Sequence, residues 1–239
     1  MRTLYAFALL TLTGSAFAQA PAAAPADPFI GSVSLGYLAT TGNTDSKNAN
    51  ASMKATWDLD GPWKHDWNAL AINARTNGIT TAESYSAGYK ALRDFSDKSY
   101  LFFTGDWRQD QFAGYDRQVS ETIGYGRRLL DSERQMLALE GGAGAKQTDV
   151  VTGEALDEAI VRGALDYLLT ISDSSEFRQQ FLVEQGEDNR YTQSTSALKT
   201  RIVGNIALVL SLVIKQNSDV PVGIEGTDRF TSISLEYAF

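Results

Sequence analysis

The chain has 239 residues, with 21 Lys and Arg against 29 Asp and Glu and a formal net charge of −8. That balance speaks against nucleic-acid binding, which needs a basic face to replace released counterions. Zero cysteines and a single histidine remove disulfide scaffolds, thiolate zinc sites and cysteine nucleophiles, and leave little for a His-built metal site or triad, so neither metal nor cofactor is expected.

In chain order, Arg2, the apolar run Leu4–Leu12 and the small-x-small Ala16-Phe17-Ala18 predict a secretory signal peptide over residues 1–18. The run is too short to cross a bilayer, which takes about 20 residues. Residues 19–29 hold three of the five prolines and no periodic pattern, and read as a flexible periplasmic tether. From residue 30 to 239 the pattern has period two, the mark of strands with unlike faces. Val33, Leu35 and Tyr37 alternate with Ser34 and Gly36. Ala49, Ala51, Met53, Ala55, Trp57 and Leu59 alternate with Asn50, Ser52, Lys54, Thr56 and Asp58. Residues 64–77 are ambiguous, because Trp67-x-Ala69-x-Ala71 and Leu70-x-Ile72-x-Ala74 compete for the apolar face. Alternation returns around Tyr85–Ala91, Leu101–Arg108, Thr122–Gly126, Leu137–Lys146, Val161–Thr170, Glu176–Glu184, Ala197–Ile202, Leu208–Lys215 and Ser232–Phe239.

About twelve strands of 11–14 residues are expected, longer than the usual soluble strand and suited to a tilted membrane crossing. Connections near 60–63, 94–98, 130–133, 172–175 and 203–205 are short. Those near 40–47, 76–82, 109–116, 147–157, 185–190 and 217–227 are mostly longer. This predicts an all-β fold, an up-and-down antiparallel meander closed as a transmembrane barrel, since an open edge in lipid leaves backbone groups unpaired. A soluble sandwich also alternates, but its strands are shorter. Aromatics near strand ends suit interfacial girdles. Tyr237 and Phe239, in a final strand of alternating hydrophobics, read as the signal for the outer-membrane assembly machinery. Periplasmic chaperones, outer-membrane lipid and lipopolysaccharide are the other expected partners, and the expected location is the outer membrane.

Val33-Ser34-Leu35-Gly36-Tyr37, Thr41-Gly42-Asn43-Thr44-Asp45 and Asn50-Ala51-Ser52, with the closing run Asp228–Phe239, resemble the domain-of-unknown-function 481 family, the YdiY-like, salt-induced outer-membrane proteins. The resemblance covers about residues 30–239 and implies an outer-membrane location. It supplies no catalytic set and no substrate.

Alternation assigns to the lumen Lys54, Lys90, Asp106, Arg108, Arg128, Glu140, Lys146, Arg162, Asp166, Arg178, Glu184, Lys199, Arg201, Lys215 and Glu236, with Asp58 and Glu176. Two readings follow. In one, the barrel is a narrow porin-like pore for ions or small solutes, weakly anion-preferring through Arg162, Arg178, Lys199 and Arg201. In the other, the same charges form a salt-bridge network that braces a non-conducting barrel. Catalysis is not expected: the lone His65 lies beside Trp63 and Asp66, an interfacial setting, with no nucleophile in view. Gly141-Gly142-Ala143-Gly144 lacks the Lys-Ser/Thr of a phosphate loop and gives room on the lumen face instead. Acids at 149, 154, 157, 158, 187, 188, 219, 225 and 228 are expected in the outer loops, as solubilising groups or as divalent-cation bridges to lipopolysaccharide.

Overall fold

A computed structural model describes residues 28–40, 46–58, 61–110, 115–150, 153, 155–220 and 225–239. The expected signal peptide, nearly all of the tether and the Gly42-Asn43-Thr44 motif lie outside the described residues. The described chain forms β1 (Phe29–Thr40), β2 (Ser46–Asp58), β3 (Trp63–Thr76), β4 (Ile79–Ser96), β5 (Ser99–Asp110), β6 (Tyr115–Asp131), β7 (Gln135–Val150), β8 (Ala155–Ser172), β9 (Ser175–Gln185), β10 (Arg190–Val203), β11 (Ile206–Asn217) and β12 (Thr227–Ala238). Each strand pairs antiparallel with its sequence neighbours, and β1 pairs with β12 to close the ring. The expected fold class is the observed one.

Alternation does its work through the pleat, which sends successive side chains to opposite sides of the wall. Leu35, Ile123, Val161, Ile233 and Leu235 stand on the exterior, each more than half exposed. A monomer in water rarely tolerates an apolar belt of this extent, whereas lipid makes it the stable arrangement. Aromatics rim the belt. Phe29, Trp57, Trp63, Tyr237 and Phe239 lie toward the end carrying the short turns and the β1–β12 start (the turn end), and Tyr37, Tyr85 and Trp107 lie toward the opposite, loop end.

Three expectations are corrected. The long connection expected over 76–82 is a two-residue turn, Asn77-Gly78, with φ of 51° and 81°. Asn-Gly adopts the left-handed pair a tight hairpin needs, and β4 begins at Ile79. Strands span 11 to 18 residues rather than 11 to 14, because β4, β6, β7 and β8 each run to 16 residues or more. The extension of β8 places Glu158 on the lumen wall rather than in a loop, and likewise Asp149, Asp157 and Asp228 lie on β7, β8 and β12. The ambiguity in β3 is settled by register: Lys54, Asn68, Gly88 and Asp106 form one row. Leu70 and Ile72 therefore face the lumen, and Trp67, Ala69 and Ala71 face outward.

The closing seam is held by Ser32–Gly36 against Ser234–Ala238, and extended by two backbone bonds between Gly31 and Phe239 at 2.8 and 2.9 Å. A Cβ at residue 31 would lie 2.6 Å from the Phe239 ring, so glycine there lets the ring lie over the seam.

Candidate functional site

The lumen is the candidate site, and it divides by height. Toward the loop end, Arg108 on β5 reaches Glu184 on β9 through two bonds of 2.8 and 3.0 Å. Paired donors meeting both carboxylate oxygens give the strongest geometry available to such a pair. Arg162 on β8 sits 3.4 Å from both Glu184 and Asp106, and Ser120 adds a long bond to Glu184. Glu184 has no solvent exposure, and Tyr191 has none either. The Arg108 guanidinium lies 4.5 Å from the Tyr191 ring centroid, and Tyr191 donates to Gln193 at 2.6 Å. Lys146, 1% exposed, forms an ion pair with Glu158 at 2.6 Å, off the line a hydrogen bond requires.

Lys215 extends from β11 to the far wall. It donates to Ser84 on β4 at 2.6 Å and lies 3.4 Å from Asp110 on β5. In a ring of twelve, β5 and β11 are six strands apart, so this contact joins opposite walls. Phe230 packs under the same ammonium at 5.4 Å. Charged groups from β5, β7, β8, β9 and β11, with the Ser84 hydroxyl of β4, thus converge in a buried layer.

The turn-end half is built differently. Lys90 pairs with Glu140, which also accepts from Tyr100 at 2.7 Å. Arg128 pairs with Asp94 at 2.7 Å, and Arg178 pairs with Asp166 through Nε at 2.9 Å and through its Nη2. Lys199 lies 2.7 Å from Glu236 and 3.6 Å from Glu176. Except for Glu140 and Tyr100, these groups remain partly open to water, and a cavity of about 420 Å³ lies at this mouth, lined by Thr170, Glu176, Lys199, Arg201 and Ala207 among others. Lys54 and Arg201 are exposed and have no carboxylate within ion-pair distance among the described residues.

Two buried aromatic rings, Tyr100 and Phe102, lie on the lumen side of β5. Tyr100 and Phe102 stand directly opposite Gly126 and Gly124, and a side chain at either glycine would collide with the ring across from it. Each ring lies over a bare stretch of backbone. Gly142 and Gly144, on the adjoining strand, are the lumen-facing pair of the glycine run.

All fifteen lumen candidates lie on the inner wall. Asp106, Arg108, Lys146, Arg162, Glu184 and Lys215 enter the buried layer, and the other nine line the turn-end half. Alternation did not single out Tyr191, Phe230, Ser84, Asp110 or Glu158, which complete the layer. His65 faces outward, sharing a 2.8 Å hydrogen bond with the Tyr89 hydroxyl among Trp57, Trp63 and Trp67. Among the described residues, no group of three or more His, Cys, Asp or Glu is placed to hold a metal.

Such a lumen can brace the wall and block passage at once. An ion crossing the buried layer would have to displace paired charges whose desolvation is already paid only by one another.

Among solved structures, an outer-membrane channel of Pseudomonas putida F1 from the COG4313 group superposes with a TM-score of 0.51 at 10% identity, over 88% of this chain and 94% of that one. The NanC porin gives a TM-score of 0.49 at 10% identity over 87% and 97%. At such identity the likeness concerns the fold. By sequence, the Escherichia coli (strain K12) protein YdiY, itself described as uncharacterized, is 30% identical over 245 residues, covering 97% of this chain and 96% of its own. The family model described as "Protein of unknown function, DUF481" matches residues 33–239. The chain belongs to the DUF481 family.

Proposed function

We propose that this protein is an outer-membrane barrel that stands closed to steady ion flow. Its loop end lies outside the cell and its turn end in the periplasm, after export directed by residues 1–18. Of the two readings the sequence allows, the braced, non-conducting barrel has the better support. The observation that carries it is the contact of Lys215 with Ser84 and Asp110 across the full width of the ring, in the same layer as the buried Arg108–Glu184 pair. Three of the four groups expected to set anion preference, Arg162, Arg178 and Lys199, are engaged by carboxylates.

Purified protein in planar bilayers tests the reading. The expected record is a flat baseline, with discrete steps appearing in the double variant R108A/E184A. Steady conductance of the wild type at low voltage overturns it. The pore reading keeps one observation in its favour, Lys54 and Arg201 at the turn-end half, which have no ion-pair partner among the described residues. If the wild type does conduct, R178E/R201E moves the reversal potential toward cations under that reading.

We read no enzymatic role. His65, locked in an outward aromatic setting, is remote from the lumen, and His65→Ala is expected to leave any cellular phenotype unchanged. Tyr237 and Phe239, paired at the seam, are the residues the assembly machinery would read.

A further inference from the structure

On the exterior, where β2 and β3 approach the loop end, Lys47 stands directly opposite Arg75 in the register. Both are exposed, and neither forms an ion pair with a described residue. Like charges directly opposed across a strand pair repel and destabilise the ladder. Two other exterior cations have partners: Arg117 pairs with Asp149 at 2.7 Å, and Arg93 lies over the Trp63 ring at 5.7 Å.

The surroundings specify what would relieve the repulsion. Tyr37 and Tyr85 lie on the same face nearer the membrane centre, Tyr37 opposite Ala49 and Tyr85 opposite Ala71. Interfacial tyrosines mark the headgroup depth, so the basic pair stands at the level of lipid phosphates. The β3–β4 register shifts by one between Ala74 and Arg75, leaving Thr81 of β4 unmatched, an irregularity of the kind that sharpens the local twist. The Asn77-Gly78 turn ends the hairpin two residues later, which keeps the β3–β4 connection beside Arg75 short. Ile79, beside that turn, is 71% exposed, which suits a hairpin tip seated against lipid. Asn73, next below Arg75 on the same face, adds an amide. Glu83, opposite Asn73, accepts from the Tyr85 hydroxyl at 3.2 Å rather than from Arg75.

We propose that Lys47 and Arg75, with Asn73, form an exterior binding site for the phosphate of a phosphorylated membrane lipid, of the kind the lipid A of lipopolysaccharide carries. The site rests on the outer-membrane location proposed above, but not on whether the lumen conducts. A guanidinium offers paired donors to phosphate and the ammonium adds a compact charge.

The test is native mass spectrometry of the full chain in detergent micelles, titrated with bis-phosphorylated lipid A. The variant K47Q/R75Q is compared, each protein first confirmed as folded by its heat-modifiable band on gels. The proposal expects the variant to bind at least ten-fold more weakly, chemically dephosphorylated lipid A to bind the wild type equally weakly, and millimolar inorganic phosphate to compete poorly. Equal binding by variant and wild type overturns it. Equal binding of the dephosphorylated lipid removes the phosphate as the recognised group. Binding of inorganic phosphate as tight as that of lipid A makes this a free-anion site and overturns the lipid assignment. Should the variant fail to fold, K47Q alone carries the comparison, with a smaller expected loss of about three-fold. Fractionation of cell envelopes tests the location separately, so a misplaced barrel and a missing site give different results.

Discussion

The two halves of the lumen hold similar residue types and do different things with them. Toward the loop end, acids and bases from five strands meet in a layer with little water access, and each charge depends on its partners. Toward the turn end, Lys90–Glu140, Arg128–Asp94, Arg178–Asp166 and Lys199–Glu236 stand along a wall that solvent reaches. The same chemical pair is therefore a structural necessity at one height and an adjustable lining at the other. The cost of removing water from an ion, which depends on depth in the barrel, makes the difference.

The sharpest way to break the comparison is Glu184→Ala. It leaves Arg108 and Arg162 facing each other in a dry layer, and the expected loss is about 3–5 kcal/mol, the usual cost of stranding a buried charge. The urea midpoint of tryptophan fluorescence in micelles reads it directly. Replacing both partners with apolar groups, R108M/E184L, is expected to recover most of that loss, to within about 1 kcal/mol of the wild type, because no charge is left stranded. A double variant as unstable as E184A would mean that the layer contributes more than mutual neutralisation.

Glu140→Gln in the turn-end half is expected to cost less, about 1–2 kcal/mol, since Lys90 can still turn to water and the amide can still accept from Tyr100. The smallest effect is expected for Lys199→Gln, about 0–1 kcal/mol, as for other solvent-reached pairs. If Lys199→Gln proved as damaging as Glu184→Ala in the same unfolding assay, the division of the lumen by height would fall.

Most of the architecture was legible in the sequence, because a strand that must show one face to lipid and the other to a lumen writes its orientation into every second residue. That rule placed Lys54, Arg108, Glu184 and Lys215 on the inner wall. It said nothing of their partners, because a pairing across the ring depends on strand order and stagger around the whole circumference. The Lys215–Asp110 contact joins residues 105 positions apart on opposite walls. Glu158 was read as a loop acid because Asp157-Glu158 sits just beyond a glycine-containing connection, where strand end and loop look alike. Tyr191 follows a polar connection with no apolar run to flag it, yet it packs under Arg108 without exposure. The Asn77-Gly78 hairpin did carry a local signal, the left-handed preference of that dipeptide. The unmarked Ser-Thr-Gly composition around it made the segment look like a longer loop.

The seam has a kinetic consequence. Eleven of the twelve strand pairings join neighbours in sequence and can form as the sheet grows hairpin by hairpin. The twelfth joins Gly31 to Phe239, so nearly the whole chain must be gathered before its first bond can form. Non-local pairings are the slow ones, because the entropy of bringing the ends together is spent before any bond repays it. Sealing is then the last and slowest event of assembly. A side chain at residue 31, by lifting the Phe239 ring from its place, would act first on the rate at which the ring shuts, and only second on how firmly it stays shut.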